Sequence, residues 1–458
     1  MFLRQFRRQL PRQLKTIVLF IVSVMISNYC LATDLLQIFA EAQNEDPQVR
    51  AAHAQLQAEL EAIPQSRALL LPDLTLSANT ATIDREFAGG GSNTQERFNS
   101  NGYSARLTQP LFRADRWFQL LSAKESSKQA LAEYSNAEQD LIIRVAEAYF
   151  NILRAEDNLS SAVAAETAFR RQLDQTQERF DVGLIAVTDV HEARAVYDLS
   201  RVVRITQEEE RDNSFTALET LTNSRYNKIN QLDKSMPITN PNPASLQEWI
   251  ATALEHNLSL NASQHQVAAA KQEVKRQKSG HLPTLDAVAS YSHSEDGGIS
   301  FLGNESDIEN YALELNIPIF QGGGTQSRVR EAHHRLTQAK ENYENQYRTI
   351  KQDIQRQHRT VNSDVLRVAA RKLALKSSQS ALEATEGGYE VGTRNIVDVL
   401  QVRNTLFEAQ RNYYNAIYDY IIDSLRLKRI AGTLSVTDLE SFNRWLTLTE
   451  EGKTPKTP

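Results

Sequence analysis

Few residues in this sequence are spaced for catalysis. His191-Glu192 begins like the HExxH zinc motif, but Ala195 stands where the second histidine would be. His333 and His334 are consecutive, so on a helix they point about 100° apart and cannot share a metal as i,i+4 residues can. They read as solvated helix-face histidines. Gly322-Gly323-Gly324-Thr325-Gln326-Ser327 lies where a phosphate loop would, between an alternating segment and a helical one, yet no Lys precedes its Thr or Ser. It reads as a strand-to-helix corner, and Gly89-Gly90-Gly91 as a loop tip. There is no GxSxG and no CxxC, and Cys30 is the single cysteine. The expectation is no enzyme, no catalytic or metal-ligating residue and no cofactor.

Two other constellations recur. Val182-Gly183-Leu184 and Val391-Gly392-Thr393 each interrupt long stretches free of Gly and Pro, with glycine where a helix end wants a left-handed residue. Charges follow the second turn. Arg394 lies five residues after Tyr389 and four before Asp398, and Asp189 is the counterpart of Asp398 past the first turn. Taken singly these are ordinary helix-surface charges, so what they do depends on the elements that carry them.

Those elements are long. Leu111–Val182, Leu184–Met236, Thr325–Glu386 and Thr393–Ala431 contain no Gly or Pro over 72, 53, 62 and 39 residues. They are rich in Ala, Gln, Glu, Arg and Leu, which are strong helix formers. Apolar residues in the third fall at Val329, Ala332, Leu336, Ala339, Tyr343, Tyr347, Ile350 and Ile354, a narrow 3.5-residue seam. The first repeats it at Tyr134, Ala137, Leu141, Val145, Ala148, Ile152, Ala155 and Leu159. At about 1.5 Å per residue such helices reach roughly 90–110 Å, which predicts coiled-coil rods.

Four intervening segments alternate with period two: Leu74, Leu76, Ala78; Tyr103, Ala105, Leu107; Leu285, Ala287, Ala289, Tyr291; and Tyr311, Leu313, Leu315, Ile317. Each predicts a strand with one apolar face. They flank Gly/Ser/Asn-rich loops at Ala88–Asn101 and Glu295–Asn304, which predicts two hairpins. Hairpins packed on the rods would satisfy the alternation alone. The second face, however, carries Arg106, Asp286 and Glu314, which suits a wet lumen, and a tilted membrane strand needs about 9–11 residues. Four strands cannot close a barrel, and an open edge cannot sit in lipid. Membrane-spanning strands here require several chains to share one barrel, and three chains would supply twelve.

The chain also matches itself. Phe180-Asp181-Val182-Gly183 with Thr188-Asp189-Val190 aligns with Tyr389-Glu390-Val391-Gly392 and Val397-Asp398-Val399 at an offset of 209. Pro110-Leu111-Phe112 aligns with Pro318-Ile319-Phe320 at 208, and Leu71-Pro72 with Leu282-Pro283 at 211. Near-constant offsets predict a duplication, each half being rod, hairpin, rod, turn, rod. The expected organisation is a helix over 33–72, a hairpin over 73–110, and long helices over 111–224 with a tip at 181–187. An equatorial linker over 225–257 follows, holding Asp233–Ala244 with three of the twelve prolines. The second half has a helix over 258–283, a hairpin over 284–318, long helices over 319–432 with a tip at 390–394, and an equatorial segment over 433–447. Residues 448–458 read as a disordered tail.

Composition excludes several classes. Charged residues are 24%, the hydrophobic set is 41% and mean hydropathy is −0.48, which fits neither disorder nor a helical membrane protein. Segment 1–32 carries Arg4, Arg7, Arg8, Arg12 and Lys15 and no acid, so the remainder of the chain carries −11, which argues against nucleic acid. The same segment reads as an export signal: a basic start, an apolar stretch Ile17–Ile26, and Cys30-Leu31-Ala32. Cys30 suggests a lipoprotein, but Tyr29 before it is bulky where a small residue is needed. Cleavage after Ala32 leaves no cysteine, as suits an oxidising compartment.

Arg171 to Thr176 with Arg179 to Val190, Ser279 to Asp286, Pro318 to Gly323 and Gly388 to Leu400 resemble the TolC family of outer-membrane export ducts, over roughly Asp34 to Leu446. The resemblance implies an α+β membrane protein: a homotrimer with a twelve-stranded outer-membrane β-barrel, four strands per chain, continued into the periplasm by a long coiled-coil α-barrel. It implies an equatorial belt from about Arg225–Asn257 and the region after Gly432. It further implies a passive duct that takes cargo from an inner-membrane RND or ABC transporter through a periplasmic adaptor (a membrane fusion protein). Val182, Gly183, Leu184, Val391, Gly392 and Thr393 would be adaptor-docking tips. In the gate, Asp189 and Thr188 would accept from Arg394, Tyr389 would bind Asp189, and Gln172 and Glu386 would be further constriction residues. The family pattern has two aspartates three residues apart as acidic rings; this chain has Asp398 but Gln401. Three ring carboxylates instead of six imply weaker cation selectivity and weaker block by multivalent cations. The alternative is a periplasmic coiled-coil adaptor or scaffold, which explains the rods but gives no reason for the alternating strands.

Overall fold

The computed structural model describes residues 33–89, 92–297 and 305–447. The export signal, Gly90-Gly91, most of the loop expected at Glu295–Asn304 and the tail at 448–458 lie outside the described residues. Two similar runs of elements follow one another. The first is α1 (Leu35–Glu45), α2 (Pro47–Leu60), α3 (Ala62–Ala68), β1 (Asp73–Gly89), β2 (Ser92–Phe112), α4 (Ala114–Asp181) and α5 (Val187–Thr222). After β3 (Gln231–Leu232), the second is α6 (Leu246–His256), α7 (Leu258–Lys278), β4 (Thr284–Asp296), β5 (Glu305–Asn316), α8 (Gly324–Glu390) and α9 (Ile396–Ile430). Helix α10 (Val436–Asn443) and β6 (Leu446–Thr447) close the chain. Corresponding helices match in length: 11 residues in α1 and α6, 68 and 67 in α4 and α8, 36 and 35 in α5 and α9.

Local chemistry sets the breaks. Segment 33–72, read from sequence as one helix, is three. Asp46 leaves the helical region at ψ 117° and caps α2 by accepting from the Val49 N–H at 3.2 Å, and Pro47 fits the first helical turn. Arg144 of α4 donates two hydrogen bonds to Asp46, of 3.2 and 2.6 Å. Burial pushes the Asp46 carboxyl up, but Arg144 and the Val49 N–H outweigh it and hold it below its ordinary value. Asn257 acts alike between α6 and α7, accepting from Leu260 N–H at 3.0 Å and donating to the Ile430 carbonyl at 2.8 Å. The stretch Leu184–Met236 is helical only to Thr222, because Asn223 takes the left-handed conformation (φ 52°) and stops it without a glycine.

The rods pack through narrow seams. In α8, Val329, Ala332, Ala339, Ile350 and Ile354 are buried, while Leu336, Tyr343 and Tyr347 are half-buried. Toward the sheet, α4 lies between α2 and α7, as the Ser127–Glu59 and Ser122–Ala269 bonds show, and α7 packs on α8. Toward the turns the neighbours run α5, α4, α9, α8. The main core sits between these levels, where α1, α6 and α10 pack on the rods: Ile38, Phe39, Tyr149, Phe150, Trp249, Ile354, Ile421, Leu425 and Leu439 are buried together. There β3 pairs with β6, and the Tyr149 hydroxyl donates to the Asn230 carbonyl at 2.8 Å.

The two hairpins form one antiparallel sheet in the order β1-β2-β4-β5. Its strands outrun the hydrophobic alternation. β1 and β2 have 17 and 21 residues and pair from Asp73↔Thr108 to Gly89↔Ser92, so most of the loop expected at Ala88–Asn101 is strand. Beyond Tyr103 the ladder is held by polar pairs, Thr80 donating to Asn101 at 2.7 Å and Thr82 to Asn99 at 3.0 Å. The apolar signal ends there while backbone pairing continues. β2 also runs through Phe112, so α4 begins at Ala114 rather than Leu111. On one face Leu74, Leu76, Tyr103, Leu107, Tyr311, Leu313 and Leu315 are all exposed. The other face carries the Arg106–Glu314 ion pair at 3.4 Å. Among the described residues no helix is long and apolar enough to cross a membrane.

Candidate functional site: the helical turns

Both turns are built alike. After α4, the Gly183 N–H donates to the Phe180 carbonyl (2.8 Å) and the Leu184 N–H to the Arg179 carbonyl (2.9 Å). After α8, Gly392 donates to Tyr389 (3.1 Å) and Thr393 to Gly388 (2.8 Å). Gly183 and Gly392 sit at φ 79° and 78°, the left-handed position that closes a helix by a six-residue reverse bond. These bonds satisfy the last carbonyls and turn the apolar side chains outward: Val182, Leu184 and Val391 are 70%, 73% and 75% exposed.

Past the second turn, Asn395 caps α9 by accepting from the Asp398 N–H at 2.8 Å. Arg394 Nη1 lies 3.6 Å from Asp398 Oδ2, an exposed i,i+4 pair worth about 0–1 kcal/mol. Gln401 is exposed on the next turn of α9. Past the first turn, α5 starts without a side-chain cap, with Thr188 exposed and Asp189 half-exposed. Among the described residues of this one chain, neither side chain meets Arg394 or Tyr389. The Tyr389 ring instead lies under the Arg179 guanidinium, 4.8 Å from its centroid. His333 and His334 are both exposed on α8.

Gln172 and Glu386 are brought together by a residue the sequence reading missed. Arg403 of α9 pairs with Glu386 through Nη2, and its Nη1 lies 3.3 Å from Gln172 Oε1 and 3.5 Å from the Ala168 carbonyl. Its side chain is 17% exposed and Gln172 is buried. The signal was available in the helix period: Arg403 falls three residues after Leu400 and four before Phe407, both in the apolar cluster of Phe169, Ala193, Ile396 and Val399. A cation on a packed seam requires an anion beside it.

A model of the outer membrane efflux protein family matches residues 38–224 and 249–433, which are the two runs of elements. Outer membrane protein TolC of Vibrio cholerae is 34% identical over 439 residues, covering 94% of this chain and 98% of its own. TolC of Escherichia coli is 33% identical, covering 94% and 90%. The alkaline protease secretion protein AprF of Pseudomonas aeruginosa is 25% identical, covering 91% and 88%. Among solved structures, CusC superposes with a TM-score of 0.77 at 18% identity, over 88% of this chain and 92% of CusC. VceC of Vibrio cholerae gives 0.74 at 19%, over 87% and 96%; both show a shared fold. With the family matched across both halves, and TolC relatives at 34% and 33% identity over nearly their whole length, the chain belongs to the outer membrane efflux protein family.

Proposed function

We propose that this chain is an outer-membrane exit duct of a tripartite efflux or type I secretion system, conducting cargo passively from an inner-membrane RND or ABC transporter. Three copies of an internally duplicated chain would close one twelve-stranded barrel through the hairpins at 73–110 and 284–318. The rods, about 100 Å long, would continue it through the periplasm, with an equatorial belt at 225–257 and 433–447. The observation that carries the reading is the sheet: its apolar face is exposed on β1, β2 and β5, and both its edge strands lack a neighbour among the described residues. Water disfavours that face and lipid forbids those edges, and a closed barrel in a membrane satisfies both.

The turns would ring the periplasmic mouth. Val182, Gly183, Leu184, Val391, Gly392 and Thr393 would dock the periplasmic adaptor, and their exposed apolar side chains support that role. Among the described residues of one chain, the Asp189 carboxylate and Thr188 hydroxyl meet no partner, so Arg394 and Tyr389 would reach them across a boundary between copies. Asp398 and Gln401 would line the constriction as one acidic and one neutral ring. The test is the mass of the detergent-solubilised particle followed by single-channel recording. A trimer of small conductance that rises severalfold in Tyr389→Phe/Arg394→Ser, with its mass unchanged, is the expected result. A detergent-independent monomer would overturn the duct and favour the periplasmic scaffold.

A further inference from the structure

We infer that Arg403 is a positioning residue of the gate: one guanidinium that latches the α8–α9 hairpin onto α4 within each chain and keeps its own counter-ion when the latch opens. The inference rests on the duct reading and adds to it a residue and a division of labour.

The contacts divide by hairpin. Arg403 and its anion Glu386 both belong to the α8–α9 hairpin, joined by the turn at 391–395. The other two partners, Gln172 Oε1 and the Ala168 carbonyl, belong to α4, in the α4–α5 hairpin. A swing of one hairpin away from the other breaks only the second set. The Arg403 side chain is 17% exposed and stands between Leu400 and Phe407 of the apolar cluster. Without Glu386 it would be an unpaired charge packed between the hairpins while they are closed, a costly state that swinging off α4 into water would relieve. With Glu386 moving along, opening exchanges two hydrogen bonds for water and leaves the ion pair intact. Gln172 and Glu386 are thus linked through a cation, and they play different parts: Gln172 is the catch, and Glu386 holds the bolt in line.

This latch also differs from the Arg394 contacts in kind. Its partners are all satisfied inside one chain, whereas the Asp189 and Thr188 side chains find none there among the described residues. The first would set each chain's own hairpins, the second the boundary between copies.

The experiment is single-channel conductance of reconstituted trimers, with particle mass and thermal midpoint measured on the same samples. Arg403→Met is expected to raise conductance severalfold with trimer mass unchanged. Arg403→Lys, which keeps the charge but not the fork, should fall between it and the parent. Arg403→Met/Gln172→Ala should conduct no more than Arg403→Met alone, because the catch has nothing left to hold. A merely structural arginine would lower the thermal midpoint and leave the conductance of assembled trimers unchanged, which overturns the latch. Additive effects of the Arg403 and Gln172 changes overturn it as well. If the parent forms no channel, the duct reading itself falls. If the parent opens on Tyr389→Phe/Arg394→Ser but not on Arg403→Met, only the latch falls.

Discussion

Asp364 shows how a single residue can be held against its own charge. It lies on the packed side of α8 with its side chain fully buried, and neither carboxyl oxygen is hydrogen-bonded, although Arg367 approaches to 3.0 Å. Burial pushes its pKa up to about 6, with Arg367 opposing and Asp423 and Asp419 adding to the rise. Because the folded value lies above the ordinary one, protonation favours the fold. That contribution is complete at acid pH and is lost as pH rises through about 6. Asp364→Asn should therefore raise stability at pH 7.5 by on the order of 2–3 kcal/mol per chain, and by nearly nothing at pH 4. Thermal midpoints of the solubilised protein at the two pH values check the sign. At this scale the sequence was legible where backbone geometry demands a residue type, as at Gly183 and Gly392. It was opaque where a polar side chain's meaning depends on a partner far along the chain. The helix period puts Arg403 on a packed seam, but nothing local names its catch, Gln172, which lies 231 residues earlier.

Elements were legible to the extent that one physical demand covered their whole length. The strands show period two only where one face is apolar, so the sequence located the lower parts of β1 and β2 and missed the polar extensions past Tyr103. The rods were bounded more closely: the end expected at 224 lies two residues past Thr222, where Asn223 supplies the left-handed stop inside a stretch free of Gly and Pro. The membrane assignment makes a face-specific prediction. Leu313 is 71% exposed and lies opposite Ala287 in the apolar band, while its neighbour Glu314 faces the other way and pairs with the exposed Arg106. Leu313→Arg should cost about 2–4 kcal/mol if it sits near the bilayer midplane, and Glu314→Gln about 0–1 kcal/mol, the worth of an exposed ion pair. Denaturant titrations of barrel folded into lipid vesicles separate the two. Equal costs would mean that the two faces meet the same solvent.

Among the described residues the chain is open on the same two sides at both ends. In the sheet the strands with one free edge are β1 and β5, and beside the turns the outer rods are α5 and α8. One side therefore always comes from the first half and the other always ends in β5 or α8, which is the form of a head-to-tail contact that closes into a ring by rotation. The free rods are also matched in chemistry at similar depth from the turns. On α5, Leu199, Val202 and Ile205 are exposed, and Glu209-Glu210 follow about six helical turns after the start at Val187. On α8, Leu366 and Leu373 are exposed, and Arg371-Lys372 stand about five helical turns before the end at Glu390. Sequence periodicity had found the seams that pack within the chain; this second pair of stripes became visible only when the order α5-α4-α9-α8 showed which rods stand at the outside. A charge swap tests the match. On the trimer proposed above, Glu209→Lys/Glu210→Lys alone, or Arg371→Glu/Lys372→Glu alone, should shift the solubilised particle toward monomer, most strongly at low salt, where screening is weakest. Combining all four should restore the trimer, because each α5 would again face an α8 of opposite charge. If the combined variant dissociates as far as the sum of the two, then α5 and α8 do not meet, and the ring must close through some other pair of rods.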